Sequence, residues 1–221
     1  MSRTSPLMVG LLFLVVSYGS GCGPDRAYEE YLKGNQALEA QAFDQALDHY
    51  NRSLALDSTN AEAYLGRGRL HWFSVDYHRA VADLNRAIEH DPDLTWAYYF
   101  RGISRLHLSV FEEGIADLTR AITSEELPDD VLIRALHLRG IGYMNLERYD
   151  EAISDISACI ERDYDSEMPG YYFERARLYE AVGQPKSSIS DYESYLALNP
   201  EANKRTVEVE QTLIVLREAA E

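Results

Sequence analysis

The chain has 221 residues and carries 37 acidic against 21 basic side chains, a formal charge of −16 at pH 7. Phosphate backbones are recognised by clustered Lys and Arg, so this balance excludes nucleic acid as a partner and argues against attraction to anionic lipid headgroups. Hydrophobic residues make up 46% of the sequence, as in ordinary folded proteins, and sixteen Tyr against six Phe suit helix interfaces and grooves that stay partly wet.

The first 21 residues read as an export signal. Arg3 supplies positive charge, residues 7–16 are apolar apart from Gly10, and Ser17, Gly19, Ser20 and Gly21 follow. The apolar run is about half of the ~20 residues a membrane-spanning helix needs, and the small residues behind it suit cleavage. Gly19-Ser20-Gly21-Cys22 resembles the lipobox of bacterial lipoproteins, with Gly19 standing where that family usually has an aliphatic residue. The resemblance implies acylation of Cys22 and anchorage in a lipid bilayer of the bacterial cell envelope, which in a Gram-negative cell is the outer membrane facing the periplasm. Two or more acyl chains hold a protein at a membrane stably. Ordinary signal-peptidase cleavage would use the same Gly19 and Gly21, and both readings stand at this stage. Residues 23–26 are the expected tether, reaching roughly 14 Å when extended.

From Ala27 onward the sequence repeats itself. Lys33-Gly34, Arg67-Gly68, Arg101-Gly102, Arg139-Gly140 and Arg175-Ala176 recur at gaps of 34, 34, 38 and 36 residues. Twelve positions after each marker stand Ala46, Ala80, Gly114, Ala152 and Ser188. Four further on come Tyr50, Leu84, Leu118, Ile156 and Tyr192. Each unit holds two helical patterns, as in residues 61–74 and 78–90, and Asp91-Pro92 closes the second unit because proline lacks an N–H and its ring clashes within a helix. The expected units are 27–60, 61–94, 95–132, 133–168 and 169–200.

A glycine inside a helix costs about 1 kcal/mol relative to alanine. Its return at one slot therefore implies close approach of the paired helix, with the small residue twelve places on as the facing contact. Extra residues precede the fourth unit around Glu125, Glu126, Leu127, Pro128, Asp129 and Asp130, where Pro128 with two acidic residues behind it reads as a helix start. Two more precede the fifth around Met168 and Pro169, and such inserts are expected as loops along one edge. Residues 201–221 form a closing helix, with Val209, Leu213, Leu216 and Ala220 on one face and a polar exterior shielding the last unit.

Small residues at the eighth and twentieth slots, an aromatic near the seventeenth (Phe43, Tyr77, Phe111, Tyr149) and a proline near the thirty-second are similar to the tetratricopeptide repeat. Ser58, Pro185 and Gly114 depart from that pattern. The resemblance implies an all-α fold: a right-handed α-solenoid of five helix-turn-helix units, whose first helices line a concave groove that holds proteins or peptide segments.

A second recurrence is less usual for the family. The residue before each marker glycine, or before Ala176, is basic and is arginine in units two to five, where Asp83, Asp117, Asp155 and Asp191 recur on the second helices. The first unit breaks both habits together, with Lys33 and His49. Arg–Asp pairs within a unit are expected, and pairing between neighbouring units, as of Asp83 with Arg101, stays open.

By the family's pattern the groove slots hold Tyr28, Tyr31 and Asn35, then Leu65, Arg69, Trp72 and Phe73, then Trp96, Tyr99, Ile103 and His107, and then His137. These side chains either recognise a partner or pack helix against helix. The clamp by which one subfamily grips a carboxylate terminus is not expected, because Tyr31, Leu65 and Tyr99 replace its polar residues. The six histidines show no metal-ligand spacing, and no phosphate-cradling loop or nucleophile elbow occurs. Cys159 falls on a small-residue slot and is expected as a buried, inert thiol. No catalytic residue, metal, cofactor or small-molecule substrate is therefore implied. The expected function is that of a protein-interaction scaffold, an adaptor or assembly factor for an envelope complex or a chaperone-like binder of exported polypeptides.

Overall fold

A computed structural model describes residues 24–162, 168–199, 201 and 203–219. The export signal, Cys22 and Gly23 lie outside the described residues. Eleven helices account for nearly all of the described chain: α1 (Pro24–Glu39), α2 (Phe43–Leu56), α3 (Ala61–Phe73), α4 (Tyr77–His90), α5 (Thr95–His107), α6 (Phe111–Thr123), α7 (Asp129–Asn145), α8 (Tyr149–Arg162), α9 (Gly170–Ala181), α10 (Pro185–Leu198) and α11 (Lys204–Ala219). Consecutive helices pair, α1 with α2 through to α9 with α10, and each pair stacks on the next. The result is an all-α solenoid.

The odd-numbered helices α1, α3, α5 and α7 touch in succession, whereas the even-numbered ones are kept apart. The odd helices therefore line the inner face. Side chains at the marker spacing fill the layer between the two rows: Tyr50, Leu84, Leu118 and Ile156 are fully buried.

The small residue twelve positions on is a facing contact, as expected: a Cβ on Gly102 would lie 3.0 Å from the Gly114 carbonyl, and one on Gly68 3.5 Å from the Ala80 carbonyl. The closer obstruction is the side chain sixteen positions on, Leu118 at 2.9 Å and Leu84 at 2.8 Å. At the first unit the intruding side chain is Tyr50, whose ring edge would lie 2.6 Å from a Cβ on Gly34 and 2.5 Å from one on Gly66. One tyrosine ring on α2 thus accounts for glycines in both α1 and α3.

The turns within each unit share one conformation. Gln41, Val75, Ser109, Glu147 and Gly183 hold positive φ, between 57° and 70°. The residue after each donates its N–H to a carbonyl five positions back, as Asp76 does to His71 at 2.9 Å and Gln184 to Tyr179 at 2.8 Å. This left-handed helix closure satisfies carbonyls that the helix end leaves orphaned. Only the fifth unit uses glycine for it; Val75, β-branched and 68% exposed, holds the strained conformation with no packing in return.

The insertion before the fourth unit supplies the helix start expected from Pro128, Asp129 and Asp130. Its acidic part becomes the first turn of α7, which runs to 17 residues against 13 in α3 and α5. Asp129 and Asp130 there face the positive end of the helix dipole. At the other terminus α11 buries Val209 and Leu213 against Tyr192 and Tyr195, but Val207, Ile214 and Val215 are 45–64% exposed, so its outer face is not polar throughout. Helix α1 also starts earlier than expected: residues 24–26 are helical and rise only about 4.5 Å rather than forming an extended tether.

The Arg–Asp pairs form within units. Arg67, Arg101, Arg139 and Arg175 each donate from Nε and Nη2 to both oxygens of the aspartate sixteen positions on, at 2.6–2.9 Å. The remaining Nη1 crosses to the second helix of the preceding unit, reaching Asn51, Asn85, Thr119 and Ser157 in turn at 2.7–3.1 Å. These acceptors stand two residues beyond His49, Asp83, Asp117 and Asp155. A polar spine therefore spans the gaps between the even helices. The first unit inverts it: Glu30 on α1 takes the carboxylate role and binds Lys33 at 2.7 Å and His49 at 2.8 Å. Those two partners hold the Glu30 carboxyl down at about 2. At the far end, Glu193 occupies the acceptor slot and receives Arg217 from α11 at 2.6 Å.

Candidate interaction groove

The inner face presents an aromatic cluster spanning α3 and α5. Trp72 lies 4.9 Å from Phe73 and 5.4 Å from Phe100 between ring centroids, and Trp96 lies 5.7 Å from Tyr99 and 6.1 Å from Phe100. Edge-on and tilted arrangements of this kind suit the quadrupoles of the rings. Trp72 and Trp96 are half-buried and Phe73 is 49% exposed, so the cluster offers an apolar surface to the groove. Arg69 lies beside it, its guanidinium 5.6 Å from the centre of the Phe100 ring.

The other slots differ in their surroundings. Tyr99 and Ile103 are 4% and 3% exposed and belong to the core, where burial pushes the Tyr99 phenol up from its ordinary value. Leu65 packs against the same core cluster. Asn35 is engaged internally, accepting the Tyr50 hydroxyl at 2.7 Å. Tyr28 is 49% exposed and lies 5.6 Å from the ring of Tyr31, which is itself half-buried. His107, at the end of α5, stacks on Tyr77 with centroids 4.3 Å apart and planes 3° from parallel, away from the tryptophans.

His137 belongs to a second region. It bonds Glu174 at 2.8 Å and meets the Tyr171 ring edge-on. Here α7 and α9 stand farther apart than the earlier odd helices, and a cavity of about 390 Å³ opens among Asp130, Ile133, Arg134, His137, Met168 and Tyr171.

Phe100 and Glu174 escape the slot pattern. They share the position two before the marker, where the other units have Leu32, Gly66 and Leu138, so no recurrence flags them. The only signal is the run of aromatics from Trp96 to Phe100.

Among the described residues, no group of three or more His, Cys, Asp or Glu side chains is placed to hold a metal ion, and no helix is long and apolar enough to cross a membrane. Cys159 is fully buried, its thiol donating to the Ile133 carbonyl at 3.4 Å.

Paired helices, an inner groove and a recurrent marker define a helical-repeat binding protein. A family profile described as tetratricopeptide repeat matches residues 61–94, 133–166 and 169–201, and one described as TPR repeat matches 34–72. Together they take in more than half of the chain, which belongs to the tetratricopeptide-repeat proteins, a class of protein-interaction scaffolds. The small glutamine-rich tetratricopeptide repeat-containing protein 2 of Saccharomyces cerevisiae is 33% identical over 81 residues, 37% of this chain and 22% of that protein. The Hsp70-Hsp90 organizing protein of Triticum aestivum is 27% identical over 89 residues, 40% of this chain and 15% of that protein. The matched stretches thus span less than a quarter of either relative. Among solved structures, YrrB, described as a TPR protein with an unusual peptide-binding site, superposes with a TM-score of 0.74 at 20% identity, covering 84% of this chain and 92% of that one.

Proposed function

We propose that the protein is a non-enzymatic scaffold whose groove holds a segment of a partner protein, and that it serves as adaptor or assembly factor for a complex of the bacterial cell envelope. The observation that carries this reading is the aromatic cluster on the inner face, in which half-buried Trp72 and Trp96 and exposed Phe73 lie around the buried Phe100 ring. Trp and Tyr in such sites dominate recognition energies, because they bury large areas at small entropic cost. Anchorage at a membrane through acylated Cys22 is supported by the run Gly19-Ser20-Gly21-Cys22. With α1 beginning at Pro24, the folded body then sits directly against the bilayer.

A pull-down from solubilised envelope tests the scaffold. One stoichiometric partner is expected with the wild-type chain and none with Trp72→Ala/Trp96→Ala; equal capture by both removes the groove from the function. A second reading, a chaperone-like holder of exported polypeptides, draws on the likeness to the Hsp70-Hsp90 organizing protein and predicts many unfolded clients instead. The anchor is tested separately: globomycin should block maturation of the precursor, and unaltered processing sinks the lipoprotein assignment.

A further inference from the structure

Among the described residues, three buried polar side-chain atoms have no hydrogen-bond partner: Nε of Arg69, Nε1 of Trp72, and the Ser188 hydroxyl. Two of the three stand in the groove, three residues apart on α3, and both side chains pack on the Phe100 ring. Residues at this spacing share a helix face. A buried N–H without an acceptor is costly, and native proteins keep few of them.

The charge of Arg69 is equally unanswered. Arginines 67, 101, 105, 139 and 175 each bind a carboxylate on the opposite side of the layer. Among the described residues Arg69 forms no ion pair and no hydrogen bond; its guanidinium faces Phe100 and lies near Tyr31 and Tyr50, and Glu62 and Glu39, which act on the same two tyrosines, do not bond it. In a chain with sixteen more acidic than basic residues, a half-buried guanidinium without a carboxylate is one whose counter-ion comes from outside. Arginine is fitted to that task, since its planar fork binds carboxylates bidentately and its face stacks on aromatic rings.

We propose that Arg69 and Trp72 form a receptacle for an acidic side chain, Asp or Glu, within a partner segment whose neighbouring residues are large and apolar. This rests on the reading of the inner face as the partner groove. The apolar neighbours lie on Phe73 to one side and Trp96 to the other. An internal residue is favoured over a chain terminus because the groove continues past Arg69 in both directions, to Tyr28 and Tyr31 on α1 and to Trp96 on α5. The carboxylate meets the open Nη edge of the guanidinium. A small rotation of Arg69 and Trp72 then brings their unpartnered N–H groups to the same acceptor.

The test uses the full chain and a display library of random twelve-residue segments, flanked on both sides so that no terminus is free. Selected segments should share an Asp or Glu beside Trp, Phe or Leu. A capped synthetic peptide of the selected sequence should bind the wild type and lose at least tenfold with Arg69→Gln. Replacing the acid by its amide should cost the wild type a similar factor and the variant little. Segments that need Trp72 and Trp96 but carry no acid, or that bind Arg69→Gln unchanged, overturn this inference and leave the groove standing. Segments indifferent to Trp72→Ala/Trp96→Ala overturn the groove itself. Binding only by peptides with a free C-terminal carboxylate also overturns the internal side chain. An independent readout is thermal: Arg69→Met should raise the unfolding midpoint, and a fall shows that Arg69 has an internal partner after all.

Discussion

Arg101 holds both oxygens of Asp117, Nε at 2.9 Å and Nη2 at 2.6 Å, while its third nitrogen bonds Asn85 of the preceding unit. The pair is nearly dry, with 14% of the arginine and 5% of the aspartate side chain exposed. Breaking a buried pair by removing one member costs about 3–5 kcal/mol, because the other charge stays behind uncompensated. Asp117 has a second cation, Arg105, whereas Asp83 has beyond Arg67 only His71 at 3.6 Å. Arg67→Met should therefore lower the urea midpoint more than Arg101→Met. Adding Asp83→Leu to the first should recover much of the loss. An unchanged midpoint for both singles removes the spine from the stability of the fold.

The same neighbourhood sets a pH dependence. Burial holds His71 below its ordinary value, outweighing the attraction of Asp83 and Asp76, while Arg67 and Arg79 push the same way as burial. The unfolded chain then takes up a proton near pH 6.5 that the folded one refuses, so stability is full above that pH and falls as pH drops below it. His71→Gln should flatten the urea midpoint between pH 7 and pH 5. Glu30 acts lower: with its carboxyl held at about 2, its contribution is present above the ordinary carboxylate range and is lost as pH falls from about 4.5 toward 2. Glu30→Gln should shift the acid transition upward.

Glycine contacts separate two substitutions that look alike in sequence. A Cβ on Gly66 would lie 2.5 Å from the Tyr50 ring, whereas one on Gly140 would meet Ile156 at 3.4 Å. Gly66→Ala should destabilise by about 1–3 kcal/mol through overpacking. In Gly140→Ala the gain in helix propensity, about 1 kcal/mol, offsets a mild contact. Its thermal midpoint should stay level or rise.

Val75 is the costliest turn residue. Its φ of 62° places a β-branched side chain in a region that charges an L-residue about 1–2 kcal/mol. Val75→Asn should raise the thermal midpoint, since Asn tolerates this conformation. Gly183→Ala, at φ 70°, should lower it.

Much of this architecture is legible in the residues. The marker dipeptides locate the paired helices, and the joint exception of Lys33 and His49 separates the first unit from the rest. What periodicity cannot reach is anything that does not recur. Phe100 completes the groove cluster from a slot that holds no other aromatic, being Leu32, Gly66, Leu138 and Glu174 in the other units. Tyr99 and Ile103, assigned to the groove by position, are core because they belong to the cluster in which α5 packs with α7. Arg69 and Arg67 are two residues apart and look equivalent on paper. Only the helix turn between them sends one to a carboxylate and the other to the opposite face.

The polar spine has a direction, and both of its ends are already occupied. An array in which each unit grips the one before it is a head-to-tail contact, the kind that builds open filaments when copies stack. Here the leading unit presents Glu30 with its own cations instead of a free guanidinium, and the last acceptor, Glu193, is held by Arg217. A second copy arriving at either end finds no vacant rung to complete. Among the described residues, the ion pairs that close the spine leave it no open rung for a second copy.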